Sequence, residues 1–328
     1  MATILASPTK AWNFIPFEGE DGQFTQSWFP ICLSSDVAPG NFQGYDFLDG
    51  KVIVVRSRDG TVRVQSALCP HLGADLACGE MQGDAVRCAF HHWKYDATGV
   101  CVETGIDGDP APRAARLFNF PTIERWGVVF AFNGEKPHYD LPSFVHDDDS
   151  LVYQVRQVPT IDADPWVVCA NTPDWQHIRT LHSVKILSDN PDEVVRWNES
   201  SFLYDFDGEF WNGEEVHWNV GIYGTSLFFQ QGHIQGKWMG VQAFMGLPRP
   251  NRTRVYMMVA VRDEGGAEQP FLQQAMKMEC DILSQDMHVL NRMDYRQGKV
   301  TRQDKLLVKF LDFVRDYPRA HPSADFIR

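Results

Sequence analysis

The chain has 328 residues, enough for two domains, and a net charge of −13 from 43 acidic and 30 basic side chains. This acidity argues against a nucleic-acid-binding protein, because phosphate contacts need a basic surface. No run of residues approaches the ~18 apolar residues of a membrane span, and the N-terminus lacks a secretory signal pattern, so we expect a cytoplasmic protein.

The first part of the chain has the pattern of a small β domain. The apolar run Val52–Arg56 is followed by the turn Asp59-Gly60 and an alternating run, which predicts a β-hairpin. A proline- and aspartate-rich linker then precedes a part with mixed character. The sequence therefore predicts three units: an N-terminal segment (1–25), an all-β domain (26–140) and a second domain (141–328).

Two cysteines and two histidines in the β domain form the motif C-x-H-x16-C-x2-H. They are Cys69, His71, Cys88 and His91. Two thiolates and two imidazoles at this spacing suit a [2Fe–2S] cluster of the Rieske type, in which two histidines replace two cysteines on one iron. A structural zinc site uses the same residue types, but it normally pairs Cys with Cys and His with His. We therefore favour an electron-carrying iron–sulfur centre over zinc.

The second domain opens with another motif, N-x2-D-x2-H-x4-H, formed by Asn171, Asp174, His177 and His182. Two histidines can supply two ligands of a mononuclear iron whose third ligand is a carboxylate. Side chains five residues apart on an ideal helix diverge by about 140°. The segment is therefore predicted to bend or unwind between His177 and His182.

The rest of the second domain mixes predicted strands, such as Arg254–Val261, with two helices, Phe271–Tyr295 and Asp304–Asp316. The expected fold class is α+β: an N-terminal all-β domain, and a C-terminal α+β domain whose antiparallel sheet is flanked by helices.

The third iron ligand can be predicted from the periodicity of the first of these helices. Its apolar stripe consists of Leu272, Met276, Leu283, Leu290 and Met293. Glu279 and Asp286 fall on the same stripe, whereas Asp281 falls off it and should face solvent. A buried carboxylate is costly unless it is paired or binds a metal. Asp286 is the predicted ligand and Glu279 the alternative, and a buried acid paired with Arg or Lys stays open as a third interpretation.

Together, the two motifs resemble the terminal oxygenase (alpha) component of the Rieske non-heme iron oxygenases, and the resemblance covers most of the chain. The short chain and the N-x2-D spacing look most like the monooxygenase and demethylase branch. The resemblance implies an oxidoreductase that inserts oxygen from O2 into an aromatic or other apolar small molecule. Electrons would come from an NAD(P)H-dependent reductase, directly or through a ferredoxin. This reductase must be a separate protein, because the chain has no G-x-G-x-x-G nucleotide motif.

The resemblance also implies roles for individual residues. A [2Fe–2S] cluster would be held on one iron by Cys69 and Cys88 and on the other by His71 and His91; a mononuclear Fe(II) would be held by His177, His182 and Asp286. Asp174 resembles a carboxylate that bonds its own His177 and reaches His91 of a neighbouring subunit in a head-to-tail homotrimer. Asn171 resembles the residue beside the open face of the iron. The chain departs from the family at His92, where glycine is usual.

Two other functions stay open: a ring cis-dihydroxylating dioxygenase, and a Rieske electron-transfer protein with an unrelated C-terminal binding domain. The aromatic side chains proposed for a substrate pocket are Phe202, Tyr204, Phe210, Trp211, Trp218, Tyr223, Phe229 and Trp238. Such a pocket would suit a flat apolar or aromatic molecule.

Overall fold

The computed structural model describes residues 14–106, 109–187, 194–210, 213–296 and 298–328. Residues 1–13 of the predicted N-terminal segment and Trp211 of the predicted pocket lie outside this part. The described residues form five antiparallel sheets and five α-helices. None of these helices combines the length and apolarity that crossing a bilayer requires.

The first part of the chain contains twelve strands in the described residues. They are β1 (Phe24–Thr25), β2 (Trp28–Leu33), β3 (Asn41–Phe47), β4 (Gly50–Arg56), β5 (Val62–Ser66), β6 (Glu80–Gln82), β7 (Ala85–Arg87), β8 (Lys94–Tyr95), β9 (Cys101–Glu103), β10 (Asn119–Phe120), β11 (Thr122–Arg125) and β12 (Val128–Phe132). The sheets β10-β5-β4-β3 and β11-β12-β2 form the body of this part. A third sheet, β6-β7-β8-β9, is separate and presents the Cys/His loop between β7 and β8. The predicted hairpin is confirmed, since β4 pairs with β5.

The second part contains nine further strands and the five helices. The strands are β13 (Leu151–Gln157), β14 (Lys185–Ile186), β15 (Val195–Trp197), β16 (Ser201–Glu209), β17 (Glu215–Tyr223), β18 (Leu227–Ile234), β19 (Lys237–Arg249), β20 (Arg252–Arg262) and β21 (Arg319–Ala320). The helices are α1 (Pro165–Cys169), α2 (Trp175–Thr180), α3 (Gln269–Leu290), α4 (Lys305–Asp316) and α5 (Ala324–Ile327). One large antiparallel sheet has the order β13-β20-β19-β18-β17-β16-β14, with β15 beside β16. The α+β architecture is therefore as predicted, while the domain boundaries after residues 25 and 140 stay predictions.

Both faces of the large sheet are buried, against different partners. Alternate residues of β20, such as Met257 and Val259, face a core shared with α1, α3 and α4. The residues between them, such as Tyr256, pack with Trp28 and Phe130 of the N-terminal part. Burial on both faces explains why β19 and β20 are almost continuously apolar. The three predicted ligands of the mononuclear iron, His177, His182 and Asp286, lie on the helix-covered face.

A buried carboxylate fixes the N-terminal end of the described chain. Glu18 is 2% exposed and accepts hydrogen bonds from the backbone N–H of Thr25 at 2.9 Å and from its hydroxyl at 2.8 Å. Burial raises the pKa of Glu18 to about 7, although the guanidinium of Arg319, 3.7 Å away, offsets part of this effect. Nearby Asp164 adds to the increase. The protonated form of Glu18 is therefore favoured by the fold.

This pKa predicts a pH-dependent stability. Because the folded value lies above 4.5, the stability that Glu18 contributes is fully present at low pH and is lost as the pH rises towards 7. We expect Glu18→Gln to match the wild type at about pH 5 and to be more stable at about pH 8, by up to about 3 kcal/mol. Denaturant unfolding at both pH values measures the difference, with the exposed Glu135→Gln as control. A difference that does not change with pH would contradict the prediction.

Candidate metal centres

The two Cys/His loops fold in the same way. The backbone N–H of Gly73 donates to the carbonyl of Cys69 at 2.8 Å, and that of His92 donates to the carbonyl of Cys88 at 3.1 Å. Gly73 has φ +75° and His92 has φ +61°, so each loop turns through a left-handed residue. This conformation explains the usual glycine at the position of His92, because only glycine adopts it without steric cost.

At these loops the two predicted cysteine ligands lie together, and so do the two predicted histidine ligands. Cys69 and Cys88 are buried, at 2% and 1% exposure, whereas His91 is half-buried and His71 exposed. The two imidazole rings lie 4.6 Å apart between centroids, at 73°. Burial raises the pKa of the Cys69 thiol, and the neighbouring Cys88 adds to this effect. Two cysteine sulfurs beside two imidazoles are the donor set of a Rieske cluster, whose irons would favour the deprotonated thiolates, so these residues fit an iron–sulfur cluster.

Two aromatic side chains that the sequence analysis did not identify contact the ligands. The ring of Trp93 stacks on His71, with centroids 4.4 Å apart and planes at 7°. The Tyr95 hydroxyl lies 3.0 Å from Cys69 Sγ. In the sequence, only their position indicates a role near the cluster: Trp93 and Tyr95 follow His91 by two and four residues, directly after the loop.

The Tyr95 hydroxyl should tune the cluster. A hydrogen bond to a ligand sulfur stabilises the reduced, more negative cluster and raises its potential. We expect Tyr95→Phe to lower the potential by roughly 40 mV, the one-electron equivalent of about 1 kcal/mol. Redox titration of the purified protein, with the half-exposed Tyr153→Phe as control, checks this. An unchanged potential in Tyr95→Phe would show that the hydroxyl does not act on the cluster.

His177, His182 and Asp286 form the second centre, with one potential ligand atom from each within 4.8 Å of the others. The two Nε2 atoms are 3.0 Å apart, and Asp286 Oδ1 lies 3.1 Å from the Nε2 of His182 and 3.5 Å from that of His177. Helix α2 ends at Thr180, and Ser183 has φ +57°. The predicted break in the helix is present, and it brings the two imidazoles together.

The outer nitrogens of both histidines are already occupied. His177 Nδ1 donates to the backbone carbonyl of Asp174 at 2.8 Å, and His182 Nδ1 donates to Gln285 Oε1 at 3.0 Å. The inner Nε2 atoms of neutral imidazoles therefore present lone pairs to each other. Asp286 Oδ1 is buried and makes no hydrogen bond within the described residues. Three acceptors facing one point without a proton donor fit a bound cation.

Electrostatics favours the charged carboxylate at this site. Burial alone would raise the pKa of Asp286, but hydrogen bonds and positive charge from His177 and His182, available when their imidazoles are protonated, lower it below its usual value. Burial alone would likewise lower the pKa of His182, but the Asp286 carboxylate raises it. Asp286 is therefore held as an anion in a largely buried position.

Helix periodicity correctly predicted which carboxylates of α3 are buried. Asp286 and Glu279 are both buried on α3, and Asp281 is exposed, as predicted. Glu279 is not part of the three-residue group. The prediction that Met293 belongs to the buried apolar stripe was wrong. Met293 is 39% exposed, because α3 ends at Leu290.

Asp174 and Asn171 also lie near this centre. Asp174 Oδ1 accepts the backbone N–H groups of Gln176 and His177, at 3.1 and 3.0 Å, and so caps α2. Its link to the His177 imidazole comes from the backbone carbonyl and not from the carboxylate. Asn171 is half-buried and borders the cavity described next.

A cavity of about 150 Å³ lies beside the three ligands, with walls formed mainly by apolar side chains of α1, α3 and the large sheet. Of the predicted pocket aromatics, Tyr204, Phe210 and Trp218 line it. Phe202 is buried in the same core without lining the cavity. Three others pack on the opposite face of the sheet: Tyr223, Phe229 and Trp238. Phe206 and Phe228 also line the cavity, and neither was predicted to do so.

Comparisons with known proteins agree with this arrangement. Residues 27–118 match the Rieske [2Fe-2S] domain family. Among curated proteins, the cholesterol 7-desaturase nvd of Bombyx mori is 28% identical over 170 residues, which cover 51% of this chain and 37% of that protein. The oxygenase component of the 3-ketosteroid-9-alpha-monooxygenase of Rhodococcus rhodochrous is 25% identical over 173 residues, covering 53% of this chain and 40% of that protein.

Among solved structures, dicamba monooxygenase bound to dicamba aligns with a TM-score of 0.69 and 15% identity. The alignment covers 88% of this chain and 96% of that chain, so the fold is shared across both parts of the molecule. The chain spans well under half the length of the two curated relatives it matches.

Proposed function

The chain carries a Rieske [2Fe–2S] domain on the fold of the Rieske oxygenases, and from this premise we propose that it is a terminal oxygenase. It takes electrons from a separate reductase and uses O2 to oxidise an aromatic or other apolar small molecule. The proposed outcome is monooxygenation, including O- or N-demethylation. We also propose that it acts in the cytoplasm.

One observation carries the proposal: two histidines and a carboxylate converge beside an apolar cavity in a chain that also holds a Rieske domain. A cluster alone would serve electron transfer. Two histidines and a carboxylate that would hold the metal are the ligand set of non-heme iron oxygenases, and the cavity for a substrate lies beside them.

Different residues of the chain would hold the cluster, hold the iron and bind the substrate. Cys69, His71, Cys88 and His91 would hold the cluster, and His177, His182 and Asp286 would hold Fe(II), which when bound supplies a site for O2 reduction. Each histidine is oriented by its outer hydrogen bond, to the Asp174 carbonyl or to Gln285. The apolar cavity walls would exclude bulk water and hold the substrate beside these three ligands.

The proposed overall reaction consumes two electrons and two protons. A substrate C–H bond and O2 become a C–OH bond and water. If the carbon is a methyl group on oxygen or nitrogen, the hydroxymethyl product breaks down to formaldehyde and the demethylated compound. Asn171 lines the cavity beside the three ligands and can donate a hydrogen bond into it.

We propose that the electrons cross a subunit boundary in a head-to-tail homotrimer. The cluster histidines are exposed or half-buried at the tip of the N-terminal part. Leu72 and Phe90 beside them are 68% and 63% exposed, which suits an interface at this tip. In this assembly, Asp174 of one subunit would meet His91 of the neighbouring subunit. An NAD(P)H-dependent reductase, directly or through a ferredoxin, would supply the electrons.

A substrate screen tests the proposal. Purified holoenzyme with a surrogate reductase, NADH and candidate aromatic compounds should show oxygen uptake that depends on the compound. Formaldehyde release identifies demethylation, and a cis-diol product would show the dioxygenase reaction instead. Cluster reduction without compound-dependent oxygen uptake across a broad panel would favour a pure electron-transfer protein and contradict the proposal.

A further inference from the structure

The cavity beside the metal site contains polar groups for which the proposed reaction has no use. Glu279 of α3, Gln230 of β18 and Trp218 of β17 all line it. Their exposures are 6%, 7% and 8%, so each is more than nine-tenths buried. Glu279 Oε1, Gln230 Nε2 and Trp218 Nε1 make no hydrogen bond within the described part of the chain. Unpaired buried polar atoms of this kind are uncommon in folded proteins.

Glu279 is the most costly of these groups. A carboxylate among apolar side chains destabilises the fold unless a partner compensates for the lost hydration. Burial raises the pKa of Glu279 to about 7; the charge of His182 and the nearby amide of Gln230, which is not placed for a full hydrogen bond, offset only part of this effect. Glu279 is also outside the group of three metal ligands. Among the described residues, the chain supplies no full partner for this side chain.

The position of Glu279 relative to the metal site suits substrate recognition. It precedes Asp286 by seven residues on α3, which is two helical turns or about 10 Å along the axis. A flat molecule lying along α3 can therefore have one end at the metal site and the other at Glu279. The cavity of about 150 Å³ equals in size an engineered apolar cavity that binds benzene.

We infer that Glu279 is the specificity-determining residue of this cavity, and that it selects ring-sized apolar substrates with an N–H or O–H donor at the end away from the oxidised carbon. Glu279 accepts the hydrogen bond from the substrate. The Gln230 amide and the Trp218 indole N–H can donate to an acceptor next to that donor. This inference rests on the proposed oxygenase function, since it assigns the cavity to the substrate.

The matched ligands indole and indene test it. They share shape and size, but only indole has an N–H donor. Calorimetric titration of the anaerobic holoenzyme, which prevents turnover, gives the dissociation constant of each. We expect indole to bind about tenfold more tightly than indene, because indene forms one hydrogen bond fewer with Glu279.

Two variants separate recognition from a structural role. Glu279→Met fills the same space without an acceptor, and it should bind both ligands equally. Glu279→Gln keeps an acceptor oxygen and should retain most of the preference for indole. Asp281→Asn removes an exposed carboxylate from the same helix and should behave as the wild type. Cluster absorbance and iron content, measured on each variant, confirm that the protein is intact.

Equal binding of the two ligands by the wild type, binding of neither, or an undiminished preference in Glu279→Met would each overturn the inference. The readout is affinity and not oxygen consumption. A protein that prefers indole through Glu279 but oxidises nothing would therefore refute the proposed function and leave the recognition role intact. Compound-dependent oxygen uptake without a preference for indole would refute the recognition role of Glu279 and leave the proposed function intact.

Discussion

Replacing His177 with alanine is expected to remove the mononuclear metal and leave the iron–sulfur cluster in place. His177 supplies one of only three ligand atoms in the group, and its loss leaves His182 and Asp286 alone. Loss of an outer hydrogen-bond partner already weakens metal binding 10- to 100-fold, so loss of a ligand should weaken it by more than about 100-fold. Iron should fall from about three to about two atoms per chain. Compound-dependent oxygen uptake should fall to background.

The control for this variant is His217→Ala, which removes an exposed imidazole that pairs with Asp207 on the large sheet. It should keep full iron content and activity. Visible absorbance of the cluster must be the same in both variants, because the ligands of the cluster lie in the other part of the chain. Retention of full activity by His177→Ala would contradict the oxygenase account and support an electron-transfer protein.

Replacing Asp174 with asparagine is expected to slow electron transfer between the two centres while both metals stay bound. Asparagine caps a helix as well as aspartate, so the two hydrogen bonds at the start of α2 should persist and stability should change by less than about 0.5 kcal/mol. The link to His177 should also persist, since the backbone carbonyl provides it. Only the negative charge proposed to face His91 of the neighbouring subunit is lost.

We expect the rate of cluster reoxidation, measured by stopped flow after mixing the reduced protein with substrate and O2, to fall about 10- to 100-fold in Asp174→Asn. Asp174→Ala, which also removes the cap, should add a loss of stability of about 1 kcal/mol. An unchanged reoxidation rate in Asp174→Asn would limit Asp174 to a structural role at the start of α2.

The convergence of His177, His182 and Asp286 could be predicted from the sequence because its determinants are local. The Cys/His spacing is set by two short loops, and the break between His177 and His182 follows from helix geometry. The buried position of Asp286 could be predicted because α3 is long and its periodicity is regular. The error at Met293 has the same origin, since the pattern continues past Leu290 although the helix ends there.

The cavity was less predictable because its walls depend on tertiary contacts. Aromatic residues occur on both faces of the large sheet, and composition does not say which face holds the helices. Phe229 and Trp238 pack against the N-terminal part, whereas Phe206, which was not predicted, borders the cavity. The Tyr95 contact with Cys69 was missed for a similar reason, because it joins strand β8 to the first Cys/His loop across 26 residues.

The existence of two different iron centres in one chain is the central claim, and direct metal analysis tests it most simply. Iron and acid-labile sulfide should be quantified in protein purified without added metal chelators. The account predicts about three irons and about two sulfides per chain, with the Rieske signal in electron paramagnetic resonance spectra of the reduced protein. Equal iron and sulfide, with no additional iron bound after anaerobic incubation with Fe(II), would contradict it.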